Sequence, residues 1–176
     1  MIPTPSECFN LLQAHNVPEH IVQHSRVVHR VALYLCQNLN QQGERLDPAQ
    51  VEAGSLLHDI AKMDGLQTME NHSQAGALLL SRLGYPEIAE IVRQHVILDD
   101  GALQVQINEA AVVHYADKRV KHTSVVSLAE RFRDLKERYG KNSAALSWLE
   151  DLERGTMELE KRIFQGLSIG PGSLMA

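Results

Sequence analysis

Six side chains in this sequence have the types and the placement to do metal chemistry: His24, His58, Asp59, His72, His95 and Asp117. Five of them fall on apolar stripes and His72 falls at a helix start, so helical phase turns the set inward. Each alone has an ordinary explanation. A lone core histidine more often bonds a carbonyl than a metal, and His58-Asp59, inside Leu56-Leu57-His58-Asp59-Ile60-Ala61-Lys62, reads by itself as a polar pair facing water. The set as a whole is different, because burying unpaired carboxylates costs several kcal/mol each, and a metal ion is the usual way to hold two of them among four imidazoles. Nitrogen and oxygen donors without thiolate suit Fe, Mn, Co, Zn or Ni, with Mg less suited to so much nitrogen.

The elements that must position these groups all read as helices. Thr4 caps a helix with Pro5 in its first turn, and Val17-Pro18-Glu19 opens a longer one to about Gln42, with His24 on the stripe of Val28 and Val31. Asp47-Pro48 starts a third, expected to run through His58-Asp59 with Lys62 in its last turn before Met63-Asp64-Gly65 breaks it. Asn71 caps a helix ended by Gly84, and Tyr85-Pro86 begins another that carries His95 beside Ile88, Ile91 and Val92. Residues 98–107 read as an irregular connection with a turn at Asp99-Asp100-Gly101. Asn108 then caps a helix whose inward row is Ala110, Val113, Asp117 and Val120. Amphipathic helices over Ser124–Tyr139 and Ser143–Leu167 show no inward polar residue and read as cover and support.

No strand alternation, repeat or low-complexity tract competes with this reading. The expected fold class is all-α, a single-domain helical bundle of seven or eight helices over residues 1–167. Its metal-binding core spans 20–121, its supporting helices 124–167, and 168–176, with Gly170-Pro171-Gly172, is expected to be a flexible tail.

Bulk composition narrows the partners. Seventeen Lys and Arg against 22 Asp and Glu give a net charge of −5, so extended binding to nucleic acid or to an anionic membrane is not expected. Cys8 and Cys36 lack metal or redox spacing and read as small core fillers. With no signal peptide and no membrane-length apolar run, a cytoplasmic location is expected. Oligomeric state is left open.

From His24 to Asp117 the sequence resembles the HD-domain superfamily of metal-dependent phosphohydrolases. The resemblance runs through His24 followed by Val27-Val28, His58-Asp59-Ile60-Ala61-Lys62, His72-Ser73-Gln74-Ala75-Gly76, His95, and Ala116-Asp117-Lys118. It implies an all-α fold of the HD type in which His24, His58, Asp59 and Asp117 bind one metal. His72 and His95 match the residues that add a second ion in the dinuclear branch, with Asp59 as bridge. Two divalent ions, Fe, Mn or Co in the first place, would leave the site near +2 inside an acidic protein and draw an anionic substrate. The implied reaction is attack of a metal-bound hydroxide on phosphorus. Asp59 and Lys62 are its expected catalytic residues, and Lys62, Lys118 and Arg119 are expected to contact substrate phosphates; Lys121 joins them as a further candidate.

The sequence looks most like small bacterial HD proteins of the HDIG type, acting on a small phosphorylated molecule, most naturally a nucleotide. It departs from the related diadenosine tetraphosphate hydrolases in Lys118-Arg119-Val120 after the last Asp, and it lacks the GYP pattern of cyclic di-GMP hydrolases. Two other functions are compatible with the same ligands: a mixed-valence di-iron oxygenase and a non-catalytic metal-bound regulatory module. Among the other histidines, His20 reads as a surface residue near the pocket, and His114 as a surface or half-buried residue able to orient Asp117.

Overall fold

Polar side chains placed one residue ahead of apolar runs start most of the helices. Thr4 and Glu7 form a reciprocal capping box, Asp47 accepts from Ala49 N at 2.9 Å, and Asn108 from Ala111 N at 2.8 Å. Asn71, Ser127 and Asn142 cap in the same way. The computed structural model describes residues 1–63, 71–99 and 107–175. Among these residues there are eight α-helices, and the all-α fold class holds: α1 Pro5–Ala14, α2 Glu19–Gln41, α3 Pro48–Leu57, α4 His72–Arg82, α5 Pro86–Gln94, α6 Glu109–Lys118, α7 Leu128–Tyr139 and α8 Ser143–Phe164.

Helix α6 is the centre of the bundle. Residues Ala110 to Lys118 are all buried, so this helix is enclosed on every side rather than amphipathic. Helices α2, α3, α5, α7 and α8 pack on it, with Val28, Leu35, Leu57, Val92, Val112, Val113 and Phe132 fully buried between them. Close helix approach is built into two glycines. A Cβ on Gly54 of α3 would meet Ile91 Cγ2 at 2.6 Å, and one on Gly76 of α4 would meet Val92 Cγ1 at 3.0 Å. Both contacts draw the neighbouring chain against α5, which carries His95 at its end. No described helix is long and apolar enough to cross a membrane.

The structure departs from the sequence expectation in three places. Helix α3 stops at Leu57 with His58 as its C-cap, and residues 58–61 form a turn held by the short-range bonds Ile60 N→Leu57 O (3.0 Å) and Lys62 N→Asp59 O (3.1 Å). The Leu-Leu-His-Asp-Ile-Ala-Lys run has good helix formers, but in the turn both His58 and Asp59 face the site, which adjacent positions about 100° apart on a helix do less readily. Second, Val120–Lys121 and Ser124–Val125 form a two-stranded antiparallel hairpin, so α7 begins at Leu128 and not at Ser124. Third, the expected tail is tethered. Pro171–Met175 make a 3-10 turn, Leu174 is buried, and Arg119 Nη2 donates to Pro171 O at 3.0 Å. The Asp100-Gly101 part of the expected turn lies outside the described residues. Asp99 pairs with Arg93, which makes it a surface group.

Candidate metal centre

The six candidate ligands come together. His24 from α2, His58 and Asp59 from the turn after α3, and Asp117 from α6 make one half. Asp117 Oδ1 lies 3.0 Å from His24 Nε2 and 3.7 Å from His58 Nε2, and Asp59 Oδ2 lies 3.4 Å from His58 Nε2. His72, at the first turn of α4, and His95, the C-cap of α5, make the other half. Their Nε2 atoms are 3.2 Å apart and lie 3.4 and 3.6 Å from Asp59 Oδ1. Asp59 therefore turns one oxygen to each group, and it belongs to both clusters whose ligand atoms converge.

Local structure fixes which ring nitrogens point inward. His24 Nδ1 bonds His122 O at 2.8 Å, and His58 and His95 Nδ1 bond Ser55 O and Val92 O at 2.7 Å each. A carbonyl only accepts, so in each neutral ring Nδ1 carries the hydrogen and the Nε2 lone pair faces the site. Three imidazole lone pairs thus converge with two carboxylates. His58 Nε2 is buried and has no hydrogen-bond partner among the described residues. An orphaned acceptor at the middle of such a donor set fits a cation that coordinates it, and the soft thiolate ligands are absent from the set.

Charges around the cluster are paired. Lys62 Nζ lies 2.6 Å from Asp59 Oδ2, and Lys118 Nζ lies 2.8 Å from Asp117 Oδ2 and 3.1 Å from His95 O. Burial works against ionising both acids, but the imidazoles, His58 first, hold Asp59 well below the usual carboxylate range, and Lys118 with His24 and His58 does so for Asp117. Burial pushes the His95 pKa down to about 4, keeping it a neutral ligand. His58 goes the other way, because Asp59 and Asp117 outweigh its burial and raise its pKa.

The expected phosphate contacts divide. Lys62, its side chain 38% exposed, borders an open cleft of about 500 Å³ that reaches His24 and Asp59. Lys118 is buried and committed to Asp117 and His95, so it braces a ligand instead of facing a substrate. Arg119 corrects the expectation outright: its side chain is 2% exposed and is used by Val126 O, Tyr115 Oη, Glu160 and Pro171 O. Two residues past Asp117, about 200° round the helix, it points away from the site. Lys121 lies by Asp134 at 3.5 Å.

Apart from His20, sequence reasoning missed the rest of the cleft. Arg131, Leu135, Arg138 and Tyr139 of α7 line it with His20 and His122, so α7 is more than cover. The spacing 131, 135, 138 puts these residues on one face, a signal that an apolar-only stripe overlooks. His114, expected nearer the surface, is buried: Nδ1 bonds His95 O at 3.0 Å and Nε2 lies 3.4 Å from Thr156 Oγ1. It braces the His95 backbone rather than Asp117.

A family model described as the HD domain matches residues 21–121, more than half of the chain and all six candidate ligands. The chain belongs to the HD-domain family. No solved structure matches it. HD domains are generally metal-dependent hydrolases, members of a phosphohydrolase superfamily, and the buried His and Asp cluster of this HD domain has the donors and spacing to bind divalent metal.

Proposed function

We propose that this HD domain is a cytoplasmic phosphohydrolase that holds two divalent transition-metal ions, Fe, Mn or Co in the first place, and acts on a small phosphorylated molecule, most naturally a nucleotide. The observation that carries the reading is the division of Asp59, with Oδ2 toward His58 and Oδ1 toward His72 and His95. In this reading His24, His58, Asp59 and Asp117 hold one ion, and Asp59, His72 and His95 hold the other. Bound divalent ions lower the pKa of water and neutralise phosphoryl oxygens, which is the chemistry that phosphoester hydrolysis requires.

The chain's own groups do the rest. The backbone bonds at Nδ1 of His24, His58 and His95 orient those ligands, and Lys118 keeps Asp117 ionised and in place. Lys62 stands where the cleft meets Asp59, and its ammonium reaches a phosphoryl oxygen entering from that side. Asp59 and Asp117, acting against burial, keep Lys62 charged. Ile21, Leu135 and Tyr139 add an apolar and aromatic wall of the kind a nucleobase needs.

The test is phosphate release from a panel of nucleotides and phosphomonoesters under strict anaerobiosis, with Mn, Fe and Co loaded in turn. Turnover without oxygen supports the hydrolase. Oxygen consumption without phosphate release would make the protein an oxygenase, and no turnover at any metal loading would make it a binding module.

A further inference from the structure

The α7 side of the cleft is built around a buried acid. Asp134 accepts from Arg131 Nη1 at 3.2 Å and from Arg138 Nε at 3.1 Å, and Lys121 Nζ lies 3.5 Å away. Three cations surround one carboxylate, so this patch keeps positive charge after internal pairing. Arg131 Nε is buried with no hydrogen-bond partner among the described residues. A guanidinium has five N–H donors, and Asp134 occupies only part of those on each arginine. The acid is buried, and both arginines border the cleft that contains Asp59 and Lys62.

The hairpin ties this patch to the metal centre. His122 lies in its two-residue loop with φ 54, a left-handed conformation that favours glycine. A non-glycine residue stays there only when its surroundings hold it. Two contacts do so: the His122 carbonyl takes the His24 Nδ1 hydrogen at 2.8 Å, and its ring Nε2 lies 3.0 Å from Arg138 Nη2. One residue thus sets both the orientation of a candidate ligand and the position of an arginine.

We propose that Arg131 and Arg138, held by Asp134, form a second anion subsite that binds a non-scissile phosphoryl group, so that the preferred substrate carries two phosphoryl groups, one at the metal centre and one on α7. The substrate class rests on the hydrolase reading above. Planar guanidinium forks match phosphoryl oxygens two at a time, and a monoester held at the metal centre has no second phosphoryl group to offer them.

The binding test uses the full, metal-loaded chain and calorimetric titration with methylenediphosphonate and with methylphosphonate, neither of which is hydrolysed. The diphosphonate is expected to bind more tightly, and in Arg138→Ala that margin shrinks by about tenfold. Arg138 is well exposed, so the variant is expected to fold, and Arg131→Gln provides a second measurement. Margins unchanged in both variants would overturn the subsite. In turnover, a nucleoside diphosphate is expected to exceed the monophosphate in kcat/KM, and Arg138→Ala narrows that ratio; a sugar bisphosphate distinguishes adjacent from separated phosphoryl groups. Equal kcat/KM for mono- and diphosphate would overturn the subsite and leave the hydrolase standing. A margin that depends on Arg138 without any turnover would support the subsite and overturn the hydrolase.

Discussion

His58 and His95 end their helices in the same way: each is the C-cap residue, and each ring Nδ1 donates to the carbonyl three residues earlier at 2.7 Å. The bond satisfies a helix-end carbonyl and aims Nε2 at the site. Folding and ligation are therefore coupled at these two positions. His72, with its side chain 29% exposed at the start of α4, shows no such backbone bond among the described residues.

That contrast separates two variants of the second metal group. In the metal-free protein, His95→Ala is expected to cost about 1–3 kcal/mol of unfolding free energy, and His72→Ala within about 0.5 kcal/mol. Metal analysis is expected to show one ion lost per chain in both. Two ions retained in His72→Ala would remove that residue from the ligand set.

Asp59 and Asp117 differ in how many groups they serve. Asp59→Asn is expected to strip both ions, because both clusters share this carboxylate, whereas Asp117→Asn weakens only the group with His24 and His58. Metal stoichiometry after dialysis measures the difference. Equal losses in the two variants would count against a bridging Asp59.

Lys62 is expected to act on substrate and not on the metal. Lys62→Met should keep its metal content and lose about a hundredfold in kcat, the usual scale for removing one positioned donor. Unchanged turnover would reduce Lys62 to a surface partner of Asp59.

The pH dependence of stability has a working prediction in His114, whose burial lowers its pKa to about 3 from a usual 6.5. Below pH 6.5 the unfolded chain takes up a proton that the folded chain refuses, so stability falls as pH drops from 6.5 toward 3, at about 1.4 kcal/mol per unit. His58, with its raised pKa, works the other way, and comparison with a variant isolates His114. His114→Asn, which keeps an N–H for His95 O, is expected to flatten the acid limb in chemical denaturation of the metal-free protein. An unchanged slope between pH 6.5 and 4 would mean that His114 titrates normally.

Much of this was legible in the sequence, for identifiable reasons. Caps at Thr4, Asp47, Asn71 and Asn108 act within a few residues, so local chemistry decides them. The inward phase of His24 follows from the long apolar stripe on α2, and the burial of Asp117 from a helix α6 whose other residues are mostly apolar. The end of α3 at Leu57 was not legible, because the capping bond from the His58 ring competes with helix propensity only in three dimensions. Arg131 and Arg138 escaped notice because on a helix surface an arginine facing a cleft has the same spacing as one facing solvent. The Arg119 assignment rested on sequence adjacency to Asp117, where helical phase already pointed the other way.

The most direct measurement is anomalous diffraction from crystals of the metal-loaded protein, collected across the absorption edge of the bound metal. Two peaks are predicted, one among His24, His58, Asp59 and Asp117 and the other among Asp59, His72 and His95, with one Asp59 oxygen on each. A single peak, or two peaks with Asp59 outside the coordination sphere of either, would contradict the shared-carboxylate centre.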